Sequence, residues 1–104
     1  SDEADALSAD ELRLFEALRG LRKAIAAERS VPPYVIFHDT VLKELARVRP
    51  TSLESMRRVK GVGERKLADL GPRMSEFIRE FCLGHAIAAD VAAGPSQRSG
   101  KREK

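Results

Sequence analysis

Gly61-Val62-Gly63 lies between two short segments whose apolar residues fall at helical spacing, and few folds accommodate that arrangement. Leu53, Met56 and Val59 recur at steps of three before it, while Leu67 and Leu70 give the following segment an apolar edge. Both edges are expected to face one core, with Val62 pointing inward and the glycines supplying positive φ and close backbone approach. The whole stretch, Leu53 to Gly71, then reads as a rigid hairpin of two helices. Because the second helix starts at the hairpin, its free N–H groups and positive dipole end suit an anion such as a phosphate, with Lys60, Arg65 and Lys66 close by. A plain packing turn is the other reading, and the shortness of the motif favours it.

Charge concentrates in the same region. From Lys43 to Lys66 there are eight basic residues (Lys43, Arg47, Arg49, Arg57, Arg58, Lys60, Arg65 and Lys66) against Glu44, Glu54 and Glu64, whereas the 104-residue chain carries a net charge of only +3. A solvated helix face and a footprint for a polyanion both fit such an excess. One domain is the expectation for this length. A single cysteine excludes a disulfide framework, and Cys82, His38 and His85 are too few for a four-ligand zinc site. No apolar run approaches the roughly 20 residues of a membrane span, so a soluble, intracellular protein without membrane contact is expected. A first residue of serine and two polar ends suggest a segment of a larger polypeptide.

Along the chain, residues 1–7 are expected to be flexible, and Ser8 with Glu11 forms a capping box that opens a long helix to about Arg29. Leu14, Leu18, Leu21 and Ile25, with Phe15, give it an apolar face. Arg19, Arg22 and Lys23 fall to one side of that face, with Glu16 an i, i+3 partner of Arg19. SVPPYVIFHD follows; its paired prolines predict an extended loop without helix, plugging the core with Val31, Val35, Ile36 and Phe37. Tyr34, the sole tyrosine, either caps the core or stands out as a platform for a nucleic-acid base. Position alone favours the core.

Asp39 reads as the N-cap of a helix to about Val48, with Leu42, Leu45 and Val48 inward and Pro50 ending it. Thr51 and Glu54 read as a second capping box. Gly71-Pro72 predicts a break, followed by a last helix with Met74, Phe77, Ile78 and Phe81 as its core stripe and Cys82 beside it as a small buried hydrophobe. His85 falls near the far end. From Gly94 the chain is polar and is expected to be disordered, with basic residues that add weak attraction to DNA. The sum is an all-α, compact five-helix bundle over residues 8–93, flanked by the flexible N-terminus and a basic tail at 94–104.

LFEALRGLRKAIA, VPPYVIFHD, DTVLKELARVRP and GVGERKLADLG, in this order and spacing, resemble an HRDC domain, a module named for RecQ-family helicases and RNase D. The resemblance spans roughly Leu12 to Leu83, and VPPYVIFHDTVL looks like the version found in bacterial RecQ helicases. It implies a non-catalytic helical domain that helps a DNA helicase bind single-stranded or branched DNA, and that in some members contacts other domains. One departure is Leu70, where the family often places an aromatic residue before the glycine matching Gly71; local repacking is expected. The resemblance also brings the two readings of Tyr34 level, since RecQ-type domains with this sequence look as though they use the tyrosine beside basic residues to contact single strands.

The residues expected at a DNA interface are therefore Tyr34, Arg57, Arg58, Lys60, Arg65 and Lys66, with Arg22 and Lys23 extending the track. No cofactor and no metal are expected, and a monomer is. Asp10 and Glu11, like Glu76 and Glu80, read as solvated carboxylates, and GVG lacks the lysine of a nucleotide-binding loop, which leaves no catalytic constellation. The alternatives are a module that docks onto other domains of the parent helicase or onto a repair partner, and the corresponding domain of an RNase D-type exonuclease.

Overall fold

The computed structural model describes residues 7–91. Within them are five α-helices and no strand: α1 (Ala9–Arg29), α2 (Pro33–Ile36), α3 (Asp39–Val48), α4 (Leu53–Arg57) and α5 (Glu64–His85). The expected flexible N-terminus overlaps the described part only at residue 7, and the basic tail at 94–104 lies outside it. Internal contacts divide the chain into a first unit ending at Arg47 and a second beginning at Val48.

In the first unit, α1 starts at the expected capping box, with the Ser8 hydroxyl accepting from Glu11 N–H and the Glu11 carboxylate accepting from Ser8 N–H. It ends at Ser30 in the left-handed region, φ 58°. The buried positions of α1 are Leu14, Phe15, Leu18, Arg22, Ile25 and Ala26. Arg22, expected at one side of the apolar face, thus occupies its centre. Leu21, expected in the face, is only half-buried. The Glu16–Arg19 pair forms as expected, at 3.4 Å.

Pro32-Pro33 does not exclude helix here, contrary to the sequence reading. Pro33 is the first residue of α2, where a missing N–H costs nothing, while Pro32 takes the extended conformation, ψ 151°, that a residue before proline prefers. This single turn packs against α1. It turns Ile36 and Phe37 inward and leaves Val35 and Tyr34 exposed, so only half of the expected apolar plug is a plug. Tyr34 is 62% exposed, which removes the core reading of that residue. The next helix opens on the His38 carbonyl, which accepts from Val41 and Leu42 N–H; Asp39 is therefore the first helical residue rather than the cap.

In the second unit, Ser52 replaces Thr51 as the N-cap of α4, with Ser55 completing the box three residues on. The hairpin turn forms as expected around a buried Val62, but only Gly61 needs its positive φ, at 96°. Gly63, φ −81°, is the N-cap of α5.

Gly71-Pro72 does not break α5, which runs through Pro72 for 22 residues. Leu67, Leu70, Met74, Ile78 and Cys82 are buried at steps of three and four across the proline. Burying each of the larger ones contributes about 1.5–3 kcal/mol, which together outweighs the roughly 3 kcal/mol cost of an internal proline. Gly71 also lacks the Cβ that would crowd the proline ring in a helical conformation. Phe77 and Phe81, expected in the stripe, lie half-buried on its flank, with Phe81 stacked on His85 at 4.1 Å. Cys82 lies in the stripe itself, and burial pushes its thiol above the ordinary value. Leu70 is 1% exposed, so the aliphatic side chain fills its site.

Two features tie this unit together. An ideal Cβ on Gly71 would stand 2.7 Å from Leu53 Cδ2 and 3.2 Å from Leu67 Cδ1, so a side chain there would force these leucine ends to shift where α4 lies against α5. Leu53, expected to face the core, is 44% exposed and covers Gly71 instead. The chain after α5 then returns to the last residue of α3 and the one after it: Asp90 N–H donates to the Arg49 carbonyl at 2.7 Å, Val91 N–H to the Val48 carbonyl at 2.6 Å, and Arg49 Nε to the Ala88 carbonyl. Thr51 donates both its N–H and its hydroxyl to the Asp90 carboxylate. The residue expected to cap α4 thus anchors the C-terminal strap.

Because the Leu53 and Leu67 side-chain ends must shift to admit a Cβ, Gly71→Ala is expected to forfeit the roughly 1 kcal/mol by which alanine ordinarily stabilises a helix interior over glycine, measured by denaturant unfolding; a midpoint raised by that full amount contradicts the close approach. Burial favours the protonated form of Asp90, but the hydrogen bonds from Thr51 and Ser55 and the charge of Arg58 outweigh it and hold the carboxyl below its ordinary value of 3.8. A carboxyl depressed on folding stabilises above its unfolded pKa and loses that contribution as pH falls through the folded value. Melting scans across pH 5 to 2 should therefore show a smaller acid-induced decrease in Asp90→Asn than in the parent, and identical decreases would contradict the strap.

Candidate nucleic-acid interface

The residues expected at a DNA surface fall in both units. In the first, Tyr34 and His38 stack with ring centroids 6.2 Å apart and planes 23° apart. They line an open depression of about 580 Å3 together with Arg22, Pro33, Asp39 and Thr40. Its floor follows from the polar group in the middle of the α1 stripe. Arg22 Nη1 donates to the Phe37 carbonyl at 2.9 Å and pairs with Asp39 Oδ1 at 2.8 Å, its side chain 11% exposed against 62% for that of Asp39. One buried guanidinium thus fixes the backbone after α2 and the first residue of α3. Arg22 Nε is buried without a hydrogen-bond partner.

Lys23, next to Arg22, is exposed. The two neighbours therefore differ: Lys23 extends into solvent, whereas the charge of Arg22 is taken up inside. His38, Asp39 and Thr40 were not singled out as site residues from sequence. The helical i, i+4 spacing does not account for the Tyr34–His38 pair, because the helix ends at Ile36 and Phe37 between them is extended, φ −153°.

In the second unit, Arg57, Arg58, Lys60 and Arg65 are exposed and Lys66 is half-buried. The hairpin gathers them: Arg57 closes α4, Lys60 lies in the turn, and Arg65 and Lys66 stand in the first turn of α5. Two carboxylates are interleaved with them. Arg57 Nε lies 3.2 Å from Glu64 Oε2, joining α4 to the start of α5, and Arg58 Nη2 lies 4.0 Å from Glu54 Oε2. All four side chains are more than half exposed, and such pairs contribute about 0–1 kcal/mol, little enough for a phosphate to replace the carboxylate. Glu64 itself occupies the first turn of α5, so its carboxylate meets the positive helix end that the sequence reading offered to a phosphate. Among the described residues there is no group of three or more side chains suited to a metal ion, and no helix is long and apolar enough to cross a membrane.

The profile of the HRDC domain matches residues 11–78. The chain belongs to the HRDC domain family. It is 50% identical over 68 residues to the ATP-dependent DNA helicase RecQ of Bacillus subtilis, covering 65% of this chain and 12% of that protein. It is also 33% identical over 105 residues to the bifunctional 3'-5' exonuclease/ATP-dependent helicase WRN of Mus musculus, covering 95% of this chain and 7% of the relative. A third similarity, 34% identity over 77 residues, is to the ATP-dependent DNA helicase UvrD2 of Mycobacterium tuberculosis, covering 74% of this chain and 11% of that protein. The HRDC chain thus spans about a tenth of the length of these relatives.

The depression depends on Arg22, whose bonds involve a charged donor. Arg22→Ala is expected to lower stability by about 2–3 kcal/mol and to release the segment around Phe37, measured by urea unfolding and by loss of amide-exchange protection at Val41 and Leu42. Parent-like unfolding would contradict the bracing role.

Proposed function

We propose that this HRDC domain is a non-catalytic auxiliary module of a RecQ-type DNA helicase that binds single-stranded or branched DNA weakly and tunes which substrates the helicase engages. The observation that carries the reading is Tyr34, a large aromatic ring 62% exposed on a turn held by two prolines and by the buried Arg22. An exposed ring on a pre-ordered backbone stacks on a base without further ordering cost, and every base offers a face for it. Lys23 in the first unit and Arg57, Arg58, Lys60, Arg65 and Lys66 in the second supply phosphate contacts. Arg22 is assigned a different part from the one its charge suggests: it positions the turn and contacts no phosphate, because its charge is already paired with Asp39.

The mixed charge at the hairpin supports a second reading, docking onto other domains of the parent helicase. Arg57–Glu64 and Arg58–Glu54 present both signs within a short stretch, a pattern suited to a complementary protein face.

Titration of the domain against labelled single-stranded oligonucleotide separates the two. Stacking predicts that Tyr34→Ala weakens binding by about 1–3 kcal/mol while keeping the melting temperature, and that Tyr34→Phe retains affinity. Each phosphate neutralised on a single strand contributes about −0.7 to the slope of log K against log salt, so two to four contacts predict roughly −1.4 to −2.8. Parent-like binding by Tyr34→Ala and a slope near zero would leave docking as the function.

A further inference from the structure

We propose that the depression beside Tyr34 is a nucleobase site that selects guanine, with Asp39 as the specificity-determining residue. The inference rests on the reading of Tyr34 as a stacking residue and adds which base it takes. The argument starts from the inequality within the Arg22–Asp39 pair: the cation is buried at 11% side-chain exposure and the anion stands at 62%. What the depression offers to solvent is therefore a hydrogen-bond acceptor with negative charge, which disfavours phosphate and favours a group carrying N–H donors. The stacked rings of Tyr34 and His38 form another part of the lining, which suits a flat partner. A volume of about 580 Å3 falls within the range of small-ligand clefts, roughly 300–1,000 Å3.

A planar group with N–H donors on one edge describes a nucleobase, and the bases differ on that edge. Guanine presents two adjacent donors, N1–H and the N2 amino group, that match both oxygens of a carboxylate. Cytosine and adenine each offer one amino donor next to a ring acceptor. Thymine offers a single N3–H between two carbonyl oxygens, which the carboxylate repels. Asp39 Oδ1 already accepts from Arg22, which fixes the carboxylate in place, and its remaining lone pairs and Oδ2 are available to the base. The Thr40 hydroxyl, in the same lining, is suited to donate to guanine O6.

The test compares the binding of short oligothymidylates with a single central dG, dA, dC or dT, an arrangement that prevents G-rich strands from associating. The dG strand is expected to bind about fivefold more tightly than the all-thymine strand, the lower end of what a bidentate contact to a base edge provides, and more tightly than the dA strand. Asp39→Asn keeps an acceptor for Arg22 but places an amide donor against the guanine donors, so the ratio of dG to dT affinity should fall to about one. Equal binding of dG and dA strands overturns the proposal, since purine stacking alone then accounts for any preference; so does a dG advantage that survives Asp39→Asn. If the Asn variant fails to fold, the dG-against-dA comparison on the parent still decides. Base-blind binding that Tyr34→Ala abolishes leaves stacking intact and removes only the guanine site, whereas absence of binding to every strand removes both.

Discussion

A single buried guanidinium organises the first unit of this HRDC domain. Arg22 lies where an apolar side chain is expected in α1, four residues after Leu18 and three before Ile25, and it reaches the Phe37 carbonyl and the Asp39 carboxylate. Burying a guanidinium is costly unless its donors are satisfied, and two are, one by a neutral oxygen and one by a charge. The geometric result is a backbone segment held at both its inner end and its helical entry. Between Pro32 and that entry, the turn of α2 has little freedom left, and Tyr34 is carried outward on it.

That division of labour separates charge from contact. Arg22 is cationic and adjoins the depression, yet its charge is consumed inside, leaving the exposed carboxylate of Asp39 and two rings to define what the surface accepts. In the second unit the chemistry is reversed. There the cations are exposed on a glycine hairpin and the interleaved carboxylates are exposed with them, so the electrostatic attraction is broad and exchangeable rather than directed at one group. Under the proposed function the two surfaces take different jobs, base contact in one and backbone attraction in the other.

Much of this was legible in the sequence where one local rule acts alone. The Ser8–Glu11 box, the inward Val62 and the end of α3 at Val48 follow from capping, apolar spacing and Pro50, and the structure agrees with each, whereas the start of α3 falls one residue earlier than an Asp39 cap would place it. The misreadings occur where a residue serves a distant partner. Thr51 has the chemistry of a cap but its donors go to Asp90, 39 residues on, leaving Ser52 to cap α4. Pro72 signals a break, but the apolar stripe of α5 continues through it and Gly71 removes part of the steric conflict. Arg22 looked like one of three surface cations, because residue type outweighed its place in the i, i+4 series. Tyr34 could not be placed from spacing, since its exposure depends on which way a two-proline turn faces.

The most direct measurement of the account is a two-dimensional 1H–15N NMR titration of the labelled domain with single-stranded DNA. The account predicts saturable shift changes at Tyr34, at the neighbouring His38 and Thr40, and through Lys60 to Lys66, with the amides of the C-terminal end of α5, Glu76 to His85, unmoved. Shift changes confined to that end of α5, or none around Tyr34 at concentrations that saturate the hairpin, would contradict it.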